Sequence, residues 1–351
     1  MKRPTEPRTV WKQEMNRRVL PLVALTLTSL VVSLFIGEVL FRQLGYEPRV
    51  IFLNQNFWVT GWAAMDPKLG WVNREGAFRS VEPGNALMSF DADGERHDPL
   101  NPKGSGLPRI LVVGCSFTQG EGVVDDEPYP HVMNTALPGY QVLNFGTGGY
   151  GTYQSLLRMQ AYFAAPHAET PLVIYGFNGH HTIRNVATAD WVTMLTTRDG
   201  RYLIPPSVRV SGDGLSEYPA APVELWPLET KSALVAVVHK VVLKVTRFAR
   251  GRERLEVLRR LLRQMKETAA ANKAALLVMR QVATSEEMLD VMRQEGIDSV
   301  NCEPPDPFDP EYRVGGFGHP NGKQHARWAQ CLLDALARRG YAVSAFAETQ
   351  Q

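Results

Sequence analysis

The sequence predicts an α/β protein of three layers, α/β/α, built on a central parallel sheet and preceded by one N-terminal transmembrane helix. Three observations carry this. From residue 109 onward, short β-branched runs alternate with amphipathic stretches, the rhythm of parallel strands with helices on both faces. An uncharged apolar run fills Val19 to Gly37, long enough to cross a bilayer core at about 1.5 Å per residue. The 351-residue chain is 44% hydrophobic and 21% charged, the balance of a folded protein.

Taken in order, residues 1–18 carry Lys2, Arg3, Arg8, Lys12, Arg17 and Arg18 against Glu6 and Glu14. Residues 19–41 are the expected anchor, interrupted only by Glu38. A basic flank stays cytoplasmic, so the remainder is expected outside, periplasmic or at the cell surface. A cleaved signal peptide competes, but the run exceeds the usual h-region of about 7–15 residues, and no small-residue cleavage site follows in "GEVLFRQLGYE". Residues 42–107, rich in Pro, Gly and Asn, read as an irregular stem with short strands.

A single domain is expected over 108–345, with 186–232 as an insertion or cap. "RILVVG" (109–114), "YQVLNFG" (140–146), "PLVIYGFN" (171–178), "AALLVM" (274–279) and "DSVN" (298–301) read as strands. Residues 125–137, 153–164 and 322–340 read as helices, and 232–273 as one or two helices broken near Gly251. A second membrane span at 233–243 is opposed by Lys240 and Lys244; packing on the sheet or lying on the membrane surface is expected instead. The net charge of +2 argues against a nucleic-acid partner. Three cysteines leave at least one free thiol, with a Cys302–Cys331 bridge open, and no pair has metal-ligand spacing.

Chemistry concentrates where strands end, as ligand sites do in open parallel sheets. Ser116 follows the first strand in "GCSFTQGEGV". "NFGTGGYG" follows the second, and "GFNGHH" the third, with Asn178. His319 precedes the last helix in "GGFGHPNGKQH". Each has an ordinary reading: a capping serine, a glycine turn, a turn asparagine, a structural histidine. Together they offer a nucleophile, oxyanion donors and a base.

These four blocks resemble the SGNH (GDSL-type) hydrolase superfamily, whose motifs carry Ser, Gly, Asn and His in this order. "GAFRS" and "DADGER" resemble the lead-in of its membrane-anchored bacterial members. The resemblance covers about residues 66–340 and implies a flavodoxin-like sheet. It implies Ser116 as nucleophile and His319 as base. The N–H of Ser116, the N–H of Gly149 and the amide of Asn178 would be the oxyanion donors. No cofactor and no metal are implied.

Two positions depart from the family. The acid three residues before the histidine is replaced by Gly316, so Asp306, Asp309 or Glu311 is expected to reach the ring, or a backbone carbonyl leaves a Ser–His dyad. Cys115 stands where the family has Asp, and is a competing nucleophile. His180 and His181 line the cleft, face solvent or bind a metal. The expected function is a membrane-anchored esterase acting on O-acyl, including O-acetyl, groups of an envelope glycan or on a small ester. The alternatives are an O-acyltransferase of an envelope polysaccharide and a catalytically impaired glycan-binding or assembly protein.

Overall fold

The computed structural model describes residues 7–49, 61–101, 106–195 and 202–344. They fall into two compact units. One comprises the described residues up to 49 together with Leu225–Leu243; the other holds the rest of the described residues. The first unit contains helix α1 (Pro7–Gln43), whose Val19–Gln43 segment has no buried residue. Leu25 and Phe35 are 64% and 69% exposed. At 1.5 Å per residue this segment matches a hydrocarbon layer about 30 Å thick with some tilt.

The second unit is organised by five strands: β1 (Arg109–Gly114), β2 (Gln141–Asn144), β3 (Leu172–Asn178), β4 (Ala275–Val282) and β5 (Ser299–Asn301). All pair in parallel, in the order β2-β1-β3-β4-β5. This is the flavodoxin-like order, which reverses direction between β1 and β3 and opens a crevice at their carboxyl ends.

Side chains alternate across the sheet by the period of two. Ile110, Val112, Ile174, Leu277 and Met279 face one layer, with α2 (Tyr129–Ala136) and, from further along the chain, Trp328, Leu332 and Leu333. Leu111, Val113, Val173, Tyr175 and Val278 face the other, formed by α3 (Thr152–Ala164), residues Val257–Met265 and Met288–Met292. The helices that carry these residues follow α4 (Ala233–Arg252) and are α5 (Arg254–Ala271), α6 (Glu286–Gln294) and α7 (Gly322–Ala337). Both faces are covered, which is why the strands read as continuous apolar runs. Truncating one such side chain to alanine costs about 2–5 kcal/mol.

The break in the 232–273 stretch falls at Glu253, beside the expected Gly251. α2 starts four residues later than the expected helix because Pro128 sits at its N-cap and Pro130 in its first turn. The stretch expected as a stem forms two short hairpins, Ala63–Asp66 with Gly70–Asn73 and Gly76–Arg79 with Leu87–Phe90. Its Trp62, Trp71, Met88 and Phe90 join the core beside α3. Among residues expected as a cap, Ser207–Ser211 and Gly214–Tyr218 form a hairpin, flanked by the antiparallel pair Tyr202–Ile204 with Ala221–Val223, and Leu203 and Val208 are core residues. Cys302 and Cys331 are bonded, tying the end of β5 to α7.

Candidate active site

The end of β1 is shaped by glycines. Gly114 lies opposite Gly176 of β3. A Cβ on either would meet the Thr118 hydroxyl, at 2.3 and 2.2 Å, and one on Gly146 would meet the Gln119 nitrogen at 2.2 Å. Three strand ends are therefore bare where the turn Ser116–Gln119 folds back onto the sheet edge. Thr118 is held there by the Tyr129 hydroxyl at 3.1 Å. This turn aims Ser116 out of the sheet.

His319 arrives from the other end of the chain. Its carbonyl accepts from Val314 N at 2.8 Å, and Asn321 caps α7 through Gln324 N. The ring lies edge-on to Phe117, 5.8 Å between centroids. Nε2 is 3.1 Å from Ser116 Oγ, so the hydroxyl and the imidazole meet across 203 positions of sequence. Nδ1 is 2.7 Å from Glu82 Oε1. Glu82, Ser116 and His319 form a continuous acid–base–hydroxyl chain.

Glu82 corrects the expectation for the orienting acid. Asp306 accepts from Phe308 N, Asp309 from Glu311 N, and Glu311 pairs with Lys323. The departure at Gly316 has a steric counterpart. Gly315 and Gly316 both have positive φ, 59° and 82°, a backbone that disfavours side chains. A Cβ on Gly315 would strike Pro83 at 2.6 Å, and one on Gly318 would lie 2.0 Å from Glu82 Oε2. The "GGFGH" turn is thus hollowed to receive the Glu82–Pro83 turn. Those glycines were the only sequence signal of an acid arriving from elsewhere.

A second carboxylate, Glu121, places Oε2 3.7 Å from His319 Nε2. Its loop is held by buried Arg96, which donates to the carbonyls of Gln119, Gly120 and Val123 and pairs with Asp125 at 2.8 Å. Arg96 closes the "DADGER" stretch. Burial lowers the basicity of His319, but Glu121 and Glu82 outweigh it and its pKa is raised. The hydrogen bond from His319 in turn lowers that of Glu82, against its burial. The neighbouring histidines go the other way. Burial and Arg184 push His180 down to about 2 and His181 far below its ordinary value, and burial brings His325 to about 3. Of these four, only His319 has its basicity raised.

Asn178 is fully buried, and its Nδ2 has no hydrogen-bond partner among the described residues. It follows Gly176 by two positions, as Ser116 follows Gly114, so the two leave adjacent strands side by side. Gly149 has φ of 80° in the loop after β2, and that loop is fastened to β1 by Thr147 N donating to Gly114 O at 3.1 Å.

Cys115 is wholly buried and free. Its Sγ, His180 and His181 could converge on an ion, their donor atoms lying within 4.8 Å of one another. The buried Arg184 guanidinium, close enough to Cys115 to interact with it electrostatically, puts a positive charge beside that cluster, which opposes a cation. Glu82, Glu121 and His319 are the other such group among the described residues, and there the ring is already committed to Glu82 and Ser116.

No protein-family model matches the chain, and no curated protein is similar to it at a significant level. Similar solved structures include TesA, at 15% identity over 66% of this chain and 98% of that one, with a TM-score of 0.37. A member of the lipolytic protein G-D-S-L family from Veillonella parvula is 11% identical over 66% and 98%, at 0.35. LAE5, an alpha/beta hydrolase enzyme from the metagenome of Lake Arreo, is 13% identical over 68% and 97%, at 0.38. At such distances the chemistry must be carried by the site itself.

Proposed function

We propose that this chain is an SGNH-type serine ester hydrolase, anchored in the membrane by α1. The observation that carries the proposal is the chain Ser116 Oγ–His319 Nε2–Glu82 Oε1, at 3.1 and 2.7 Å. Ser116 Oγ attacks the ester carbonyl while His319 Nε2 takes its proton. Glu82 holds the ring with Nδ1–H toward itself and stabilises the imidazolium. The N–H groups of Ser116 and Gly149 and the orphaned amide of Asn178 receive the oxyanion; one such donor is worth about 10²–10³ in turnover. His319 then returns the proton to the leaving alcohol, and water, activated by the same nitrogen, releases the acid.

The acid supplied by Glu82 removes the reason for expecting an impaired site. Placement outside the cytoplasm is supported by the basic flank of the anchor and by the Cys302–Cys331 bond, since structural disulfides persist in oxidising compartments. An O-acyl ester of an envelope glycan is the substrate class that such a location favours.

The full chain in detergent is expected to hydrolyse a short-chain aryl ester, and Ser116→Ala to abolish this. Equal rates in both proteins would remove Ser116 as nucleophile. An oligosaccharide added to the same assay reports the acceptor: water leaves it unchanged, whereas acyl transfer adds the mass of the acyl group.

A further inference from the structure

α4 is amphipathic in the wrong sense for a helix facing water. Its inward positions, four apart, are His239, Leu243 and Arg247, all buried. The polar pair among them is accommodated: His239 Nδ1 lies 2.7 Å from Glu229, its ring stacks on Trp226 at 4.7 Å, and Arg247 donates to the Ala187 carbonyl at 2.8 Å. The outward positions are apolar. Val238, Val241, Val245 and Phe248 are 40%, 51%, 71% and 67% exposed and share one face by helical spacing. No acidic residue occurs from Ala233 to Arg252, while Lys240, Lys244 and Arg252 are exposed beside the apolar stripe, Lys244 within 3.6 Å of Asp190; Arg250 turns away, over the Tyr218 ring.

The start of this helix is tied to the end of the anchor. Glu38, in the last turns of α1, accepts from Ser232 Oγ at 2.7 Å and from the N–H groups of Ala233 and Leu234 at 3.1 and 3.0 Å. Arg42 donates to the Lys231 carbonyl at 2.9 Å. The one charge that interrupts the anchor thus satisfies the first turn of α4, where backbone donors and the helix dipole favour an anion. α4 therefore begins where α1 leaves the hydrocarbon.

We propose that the apolar outer face of α4 lies in a bilayer surface, with anionic lipid headgroups as its ionic partners. The inference rests on reading α1 as the anchor. A cationic helix with an apolar outer face and basic flanks is the form that lies in an interface. Its five basic residues keep it from crossing.

The test uses the full chain in nanodiscs of phosphatidylcholine and phosphatidylglycerol. Spin labels are placed singly by Val241→Cys, Val245→Cys, Lys240→Cys and, within α1, Val31→Cys; the unsubstituted chain, with Cys115 buried, measures background labelling. The ratio of oxygen to nickel-chelate accessibility is expected to be several-fold higher at 241 and 245 than at 240. Water-like ratios at 241 and 245, with a lipid-like ratio at 31, overturn the inference and leave the anchor standing. Exclusion of both reagents with dipolar broadening identifies a second copy as the occupant and also overturns it. A water-like ratio at 31 overturns the anchor itself.

Discussion

Glu82 and Glu121 both reach His319, but from opposite nitrogens, and this separates their effects. In the proposed mechanism Glu82 fixes the ring and supports the charge that forms on it, so Glu82→Gln is expected to lower kcat by about 10⁴, the scale of losing the acid of a serine triad. Glu121 touches only the electrostatics. His319 must be neutral to act, so the rate rises with pH through its raised pKa, above the ordinary 6.5. Removing the Glu121 charge lowers that pKa. Glu121→Gln should therefore move the ascending limb of the pH–kcat/KM profile to more acid pH with the protein still active; an unmoved limb would show that Glu121 is not sensed by the ring. None of this was visible locally. Glu82 lies 237 positions from His319, in a turn with no motif, and only the bare turn Gly315–Gly318 betrayed its approach.

At the scale of elements, the proposed catalytic groups stand at the carboxyl edge of the sheet and the loops are braced against them. The strands and helices that carry Ser116, Gly149, Asn178 and His319 were legible because a short parallel strand declares itself by composition; the four residues themselves were singled out by resemblance to a family. What stiffens them was less legible. Arg96 holds the Glu121 loop through three carbonyls, although "DADGER" resembled only a lead-in. The loop from β5 to α7, which carries His319, is closed by Cys302–Cys331 across 29 positions. Chain entropy assigns such a link about 3–4 kcal/mol. Cys302→Ser with Cys331→Ser should lower the stability of the second unit by about that amount in denaturant unfolding, with kcat/KM little changed below the new transition. An undiminished midpoint would mean the link constrains nothing.

For the whole molecule, stability and pH are linked through a carboxyl outside the site. Burial, then Asp93 and Asp91, push the Glu95 pKa up to about 8, from about 4.5 unfolded. The folded state holds this proton more tightly. Its contribution is complete below pH 4.5 and is lost as pH rises to about 8. Glu95→Gln, which keeps the neutral form, should raise the unfolding midpoint at pH 8.5 and leave it nearly unchanged at pH 4; the opposite pattern would show that Glu95 is ionised in the fold. The same scale contains the N-terminal apolar helix. An apolar run at residues 19–41 is legible by length and composition alone, whereas the exposed apolar face of α4 emerges only when its buried residues are known, because a helix has no inside until something packs against it.

By itself the sequence determined the α/β alternation and the apolar N-terminal segment, since each follows from local composition and from the period of two or 3.6; the four motif residues came from resemblance to a family. Only the tertiary structure decided which carboxylate serves the histidine, what Glu38 caps and which way α4 faces. Those outcomes depend on distances between residues remote in the chain, and no local pattern encodes a distance.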